Sequence, residues 1–360
     1  MDEGLKKHFS VFSTVVVSLC HCYFISSRFP KGFLRFISLL PILCIFSILP
    51  LYLPFPSVFF TSLTTFSITW LGNFKLLLFA FGQGPLSSDR ASKSLHIFIA
   101  SAALPIRTKP GTNNPSSSSS DLISKPKKKI PIMTNLGFEI LASAILIRLF
   151  LLNNGKIHPR ILLIGYCFLV YFMVDCVIAS SSLLVHALIG LELEPSSDEP
   201  YASTSLQEFW GKRWNLAVTN ILRETVYKPV RSASAKVLGR ELSSLPAVLA
   251  SFVVSGLMHE ILFFYATRVD PSWEQTSFFV LHGICVVLEI GFKKALNGRW
   301  RLPWFVSGPL TVGFVVSTSF WLFFPPLINS RADVMVLEEF RIFGEFVRDR
   351  ILNRLVSFWP

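Results

Sequence analysis

Residues 246–266, PAVLASFVVSGLMHEILFFYA, are apolar from end to end except for serines and the adjacent pair His259-Glu260. A run of this length crosses a hydrocarbon core of about 30 Å as a helix. A charged side chain inside such a core costs about 3 kcal/mol on insertion scales, while the surrounding Val, Leu, Ile and Phe each return roughly 0.3–0.6 kcal/mol. The run therefore still inserts, and an ionisable pair kept there at that cost is a functional candidate. Backbone N–H and C=O groups in lipid must be satisfied within the chain, so only helices and closed barrels span a membrane. The length of this run selects the helix.

Comparable runs cover residues 11–26, 34–53, 58–81, 137–152, 161–188, 276–292 and 306–328. The expectation is an all-α, polytopic transmembrane protein with about seven to nine spans, forming one integral membrane domain over residues 1–360. Composition points the same way: of 360 residues 51% are apolar and 16% charged, where soluble domains carry about 25% charged residues. The net charge of +12 is expected from basic loops and lipid headgroups, and no nucleic-acid partner is read from it. Cys20, Cys22, Cys44, Cys167, Cys176 and Cys285 lie in or beside apolar runs without zinc-like spacing. They read as reduced, buried packing residues, and no metal or cofactor is expected. The mixed charge of residues 1–7 and the lack of a small-residue cleavage site argue against a secretory signal.

Several segments depart from simple spans. The run 58–81 carries Asn73 and Lys75, so its second half is expected against protein or the interface. Residues 96–106 are apolar but short, and the run 161–188 is expected to be interrupted by Asp175 and a run of serines. Residues 107–129 combine a Ser/Pro/Gly-rich tract with Lys125, Lys127, Lys128 and Lys129, a low-complexity loop without the apolar residues to fold alone. Residues 331–355 repeat Val336, Phe340, Phe343, Val347 and Ile351 at three- or four-residue steps, the pattern of an amphipathic tail lying on the interface.

Ahead of the central span, residues 207–240 hold Lys212, Arg213, Arg223, Lys228, Arg231, Lys236 and Arg240 against Glu208 and Glu224. On a continuous helix Trp210, Trp214, Val218, Ile221 and Thr225 share a face, with the tryptophans at headgroup depth. The segment reads either as an ordinary juxtamembrane helix or as a basic mouth for a phosphorylated carrier, with Trp210, Lys212, Arg213, Trp214 and Arg223 as candidate contacts. Ser255 lies one helical turn before His259 on the same face. A neutral imidazole keeps a lone pair with which to take a proton, which suits His259 to act as general base on an alcohol. Glu260 projects about 100° away on a helix and reads as a structural partner. A transporter with Asp175, His259, His282 and Glu289 as a polar path is the alternative from another class. It lacks the internal repeats such folds carry.

EFWGKRWN (208–215), FVVSGLMHE (252–260) and WLGNFKLLLFAFGQGPL (70–86) resemble the membrane-bound O-acyltransferase superfamily, more narrowly its plant wax synthase-like branch. The resemblance is most specific over residues 201–268. It implies that His259 and Asn215 form the active pair, that acyl-CoA is the co-substrate and an apolar alcohol the acceptor, and that the protein resides in the endoplasmic reticulum membrane. Fatty alcohol, sterol and diacylglycerol remain open as acceptors. An acyl-enzyme is not expected. Ser255 is the one nucleophile on the histidine's face, and its neighbour Gly256 gives the pair a simpler reading as a close-packing patch.

Overall fold

The computed structural model describes residues 3–53, 57–107, 132–152, 157–190, 194–195, 197–296 and 302–352. The low-complexity loop beyond Arg107 and residues 353–355 of the tail lie outside them. Among the described residues the chain is helical without strands. In order come α1 (Glu3–Phe24), α2 (Phe33–Ile48), α3 (Val58–Thr64), α4 (Asn73–Ala80), α5 (Asp89–Lys93), α6 (Leu95–Ala103), α7 (Ile132–Leu152) and α8 (Pro159–Ile189). The second half holds α9 (Leu206–Glu208), α10 (Leu216–Leu222), α11 (Lys228–Leu242), α12 (Ser244–Thr267), α13 (Glu274–Ala295), α14 (Trp304–Thr318), α15 (Phe324–Asn329) and α16 (Ala332–Val347).

Seven described helical stretches are long and apolar enough to cross a membrane: Lys6–Arg28, Phe33–Tyr52, Val58–Ala80, Pro159–Ile189, Ser244–Thr267, Glu274–Ala295 and Trp304–Asn329. The apolar run 137–152 falls on α7, which packs along α8. Lipid-facing character is visible in the large apolar side chains left outside, such as Phe33, Leu188, Trp304 and Trp321.

Two expectations about the spans are corrected. The helix α8 runs unbroken through Asp175 and the serines. Ser181 turns its hydroxyl back to the Val177 carbonyl at 2.8 Å, and Asp175 accepts from the Ser197 hydroxyl at 2.7 Å, so neither polar group needs a break in the helix. The cysteines are free, but only Cys22 is buried, and Cys44 is exposed. An apolar thiol can face lipid as readily as protein.

α1, α2, α4 and α6 enclose one core built around Leu19, Leu39, Phe46, Leu76 and Phe98. The short α6 thus belongs to the core and does not span. Charges inside this half are met by backbone carbonyls, the arrangement expected for intramembrane cations. Lys75, 2% exposed, donates to the Leu104 carbonyl at 2.7 Å. Arg35 donates to the carbonyls of Phe29 and Ser27.

α12 and α13 form the central helix pair. A Cβ on Gly256 would lie 2.9 Å from the Thr276 Cα, and one on Gly283 would lie 2.8 Å from the Phe252 Cβ. Small residues let helices approach in lipid, where no hydrophobic force drives them together. Glu260 fastens the same pair. Its carboxylate accepts from the backbone N–H of Trp273 at 2.6 Å and of Thr276 at 3.1 Å, which satisfies orphan donors at the start of α13.

Among the described residues π-helical turns occur at Thr65–Gly72 between α3 and α4, Phe209–Arg213 after α9, Arg223–Tyr227 after α10, Ser319–Phe323 between α14 and α15, and Arg348–Leu352 after α16. Such turns gather at functional sites. Three of them carry rings that converge on the centre of α12 and α13.

Candidate active site

His259 sits half-buried in the middle of α12. Its Nδ1 lies 2.7 Å from the carbonyl oxygen of Ser255. A carbonyl only accepts, so Nδ1 carries the proton and Nε2 keeps the lone pair. No hydrogen bond occupies Nε2 among the described residues. Around the imidazole stand three aromatic rings: Phe279 of α13 stacked at 4.2 Å, Trp70 edge-on at 5.0 Å and Phe323 at 6.0 Å. These rings give the imidazole an aromatic surround on three sides.

Asn215 shows the same economy. Its backbone is left-handed, with φ of 37°, a conformation that Asn tolerates better than most residues. Its Oδ1 accepts from the Val218 N–H at 3.2 Å and so caps α10. The Nδ2 group makes no hydrogen bond among the described residues. Each residue is thus anchored on local backbone through one atom and leaves the other free. No hydrogen bond joins Asn215 to His259; a shared wall connects their helices. Val218, Ile221 and Leu222 of α10 pack with Trp70 and with Val254 and Met258 of α12.

The tryptophan-rich segment is not the single surface helix its spacing suggests. The chain leaves the helix at Trp214 (ψ 129°) and restarts after Asn215, which breaks the shared face of Trp210, Trp214, Val218, Ile221 and Thr225. Trp210 packs inward against Phe279 at 5.6 Å and His282 at 5.5 Å. Trp214 stacks on Phe209 at 5.8 Å. Val218 and Ile221 are core residues. Burial of this face outweighs interfacial placement of the tryptophans.

The basic candidates divide. Arg213 is tied down, pairing with Glu208 at 2.8 Å and donating to the carbonyls of Asp198 at 3.0 Å and Glu199 at 3.3 Å. Burial alone would push the Glu208 carboxyl up. Hydrogen bonds from the Thr204 N–H, Arg213 and the Thr204 hydroxyl outweigh it and hold the group at about 2. Lys212 and Arg223 are exposed, outside the ring cluster. Ser255 is buried and serves His259 through its carbonyl. Glu289 accepts from the backbone N–H groups of Leu206 at 2.9 Å and Gln207 at 3.3 Å, which moors the start of the segment to α13. A surface groove beside it, lined by Leu206, Cys285, Leu288 and Glu289, contains none of the candidate residues. No group of three or more His, Cys, Asp or Glu side chains able to hold a metal occurs among the described residues.

Sequence reasoning named His259, Asn215 and Trp210 and missed Trp70, Phe279 and Phe323 as neighbours of the histidine. Trp70 opens a motif that the resemblance singled out; the two phenylalanines are unmarked among the chain's 35.

The same region carries the similarity to known proteins. Residues 193–281 match the model of the membrane bound O-acyl transferase family. The chain is 39% identical to acyl-CoA–sterol O-acyltransferase 1 of Arabidopsis thaliana, across 92% of this chain and 93% of that protein. It is 37% identical to the long-chain-alcohol O-fatty-acyltransferase of Simmondsia chinensis, across 99% of each. It is also 37% identical to probable long-chain-alcohol O-fatty-acyltransferase 3 of Arabidopsis thaliana, across 99% and 100%. With 37–39% identity to these acyltransferases over nearly the whole chain and a helical architecture with seven candidate spans, the chain belongs to the membrane bound O-acyl transferase family and is an acyltransferase.

Proposed function

We propose that the protein transfers the acyl group of a fatty acyl-CoA to the hydroxyl of a long-chain fatty alcohol, making a wax ester, in the membrane of the endoplasmic reticulum. The observation that carries this reading is an imidazole inside a membrane span with Nδ1 committed to Ser255 and Nε2 open, in a chain whose relatives include long-chain-alcohol O-fatty-acyltransferases. His259 Nε2 takes the hydroxyl proton as the alcohol oxygen attacks the thioester carbon. The C–S bond then breaks, and the proton passes from Nε2 to the departing thiolate. Asn215 supplies Nδ2 as a donor to the oxygen that gains charge. Transfer is direct, with no acyl-enzyme.

Exposed Lys212 and Arg223 are suited to the phosphates of the acyl donor. Trp210, in ring contact with Trp214 and with Phe279, is suited to flank the acyl chain beside the histidine, and Arg213 fixes the neighbouring loop at Asp198 and Glu199. A sterol is the second reading for the acceptor, favoured by the relative named acyl-CoA–sterol O-acyltransferase 1.

Microsomes expressing the protein, given labelled acyl-CoA and a panel of fatty alcohols, sterols and diacylglycerol, are expected to yield wax ester. Sterol ester as the main product would replace the acceptor, and absence of any ester would overturn the activity. His259→Ala should insert normally and lose at least ~10²-fold in turnover. Near wild-type ester synthesis by that variant would remove His259 from the mechanism.

A further inference from the structure

Trp70 lies in the π-helical turn Thr65–Gly72 and is 2% exposed. Its ring stands 5.0 Å from that of His259, at 78° to it. Its indole N–H is buried and has no hydrogen-bond partner. An indole nitrogen only donates, and a buried donor left unpaired is rare enough to need a cause. Inside a membrane span no bulk water supplies the missing acceptor.

The protein supplies none either. The hydrophobic cluster around Trp70 includes Leu71, Val218, Ile221, Leu222 and Met258; of these only the Met258 thioether is even a weak acceptor, and it makes no hydrogen bond to the indole. The neighbouring imidazole makes no hydrogen bond to the indole. An acceptor must therefore arrive with what binds beside His259. In direct acyl transfer two oxygens meet there: that of the alcohol, which engages Nε2 of His259, and that of the thioester carbonyl, which gains charge as the alcohol adds.

We infer that Trp70 is a further catalytic residue, whose indole N–H donates a hydrogen bond to the thioester carbonyl oxygen beside His259. The inference rests on the acyl-transfer reading above. Trp70 exchanges no atom: the alcohol proton goes to Nε2, the C–O bond forms, the C–S bond breaks and the proton leaves on the thiolate. The indole, held on a π turn, and the amide of Asn215, held on the cap of α10, approach that oxygen from two separate elements. In the free protein the N–H waits without a partner, so its hydrogen bond is gained only with substrate and strengthens as charge develops.

Trp70→Phe keeps a flat ring and removes the N–H. In purified protein its kcat should fall on the order of 10²-fold, with KM for acyl-CoA changed less than about twofold. The second measurement needs no turnover. Protein labelled with 15N at its tryptophan indoles is titrated with an acyl-CoA analogue that has CH2 in place of the thioester sulfur and keeps the carbonyl. The indole signal absent from Trp70→Phe should move downfield, and a thioether analogue lacking the carbonyl should leave it in place. A Trp70→Phe kcat within about twofold of wild type, or a bound ketone analogue without that shift, overturns the inference. Wild-type protein that binds the ketone analogue, shows the shift and makes no ester would instead overturn the alcohol-acyltransferase reading and leave the Trp70 contact standing. An analogue that fails to bind overturns both.

Discussion

At the scale of single residues, the site is built from side chains that spend one polar atom on their own helix and hold the other in reserve. His259 gives Nδ1 to the Ser255 carbonyl, and Asn215 gives Oδ1 to the Val218 N–H. This division makes the cap formed by Asn215 separable from its proposed role as a donor. Asn215→Asp keeps an oxygen to cap α10 and a residue that tolerates the left-handed backbone, but it removes the Nδ2 donor. Turnover should fall by ~10²-fold at unchanged expression. Equal activity in the aspartate variant would leave Asn215 only its cap. His259 was legible in the sequence because an ionisable group in a long apolar run is costly and stands out. Asn215 was not legible from residue chemistry: a polar residue in a basic, exposed-looking segment is unremarkable, and only the family resemblance marked it. Trp70 looked like one more apolar residue, since sequence does not tell whether an indole N–H finds a partner.

At the scale of elements, close approach between α12 and α13 sets the distance from His259 to Phe279. Gly256 permits it, since a Cβ there would meet the Thr276 backbone at 2.9 Å for Cα and 3.1 Å for the carbonyl oxygen. Backbone cannot swing aside as a flexible side chain can. Gly256→Ala should therefore push the helices apart, cost roughly 1–3 kcal/mol as overpacking does, and reduce ester synthesis by unstacking Phe279 from the imidazole. Gly313→Ala on α14, where nothing lies within 4 Å, serves as the control in thermal unfolding of the solubilised protein. Indistinguishable midpoints for the two variants would contradict this account. Ser255-Gly256 was read from the sequence as a packing patch, and the structure agrees. The π turns left no such trace. Their widened register depends on what the rings meet across the bundle, and local spacing, which made 207–225 look like one amphipathic helix, misses the break that Asn215 imposes.

At the scale of the molecule, spans were legible because hydropathy reports them directly, whereas docking between distant helices depends on a few polar contacts that hydropathy does not see. The tail is the clearest instance. Val336 and Phe340 of its apolar repeat turn to protein, with Phe340 at 5.1 Å from Phe59, while Phe343 and Phe346 stay exposed. Asp333 accepts from the Tyr166 hydroxyl of α8 at 2.8 Å. Glu339 accepts from the Val58 and Phe59 N–H groups at the start of α3, although burial pushes its carboxyl above the usual range. Glu339→Ala should uncap α3, cost about 1 kcal/mol, and speed protease cleavage within 332–352, with Glu339→Gln, which retains an acceptor, close to wild type. Unchanged cleavage in the alanine variant would mean that α16 is held by its apolar contacts alone. The cap joins positions 281 residues apart, and so it has a place in time as well as in space. During synthesis the third span emerges and enters the bilayer long before residue 339 has been translated. Its opening turn must borrow other acceptors, from headgroups or the insertion machinery, until the end of the chain arrives to relieve them.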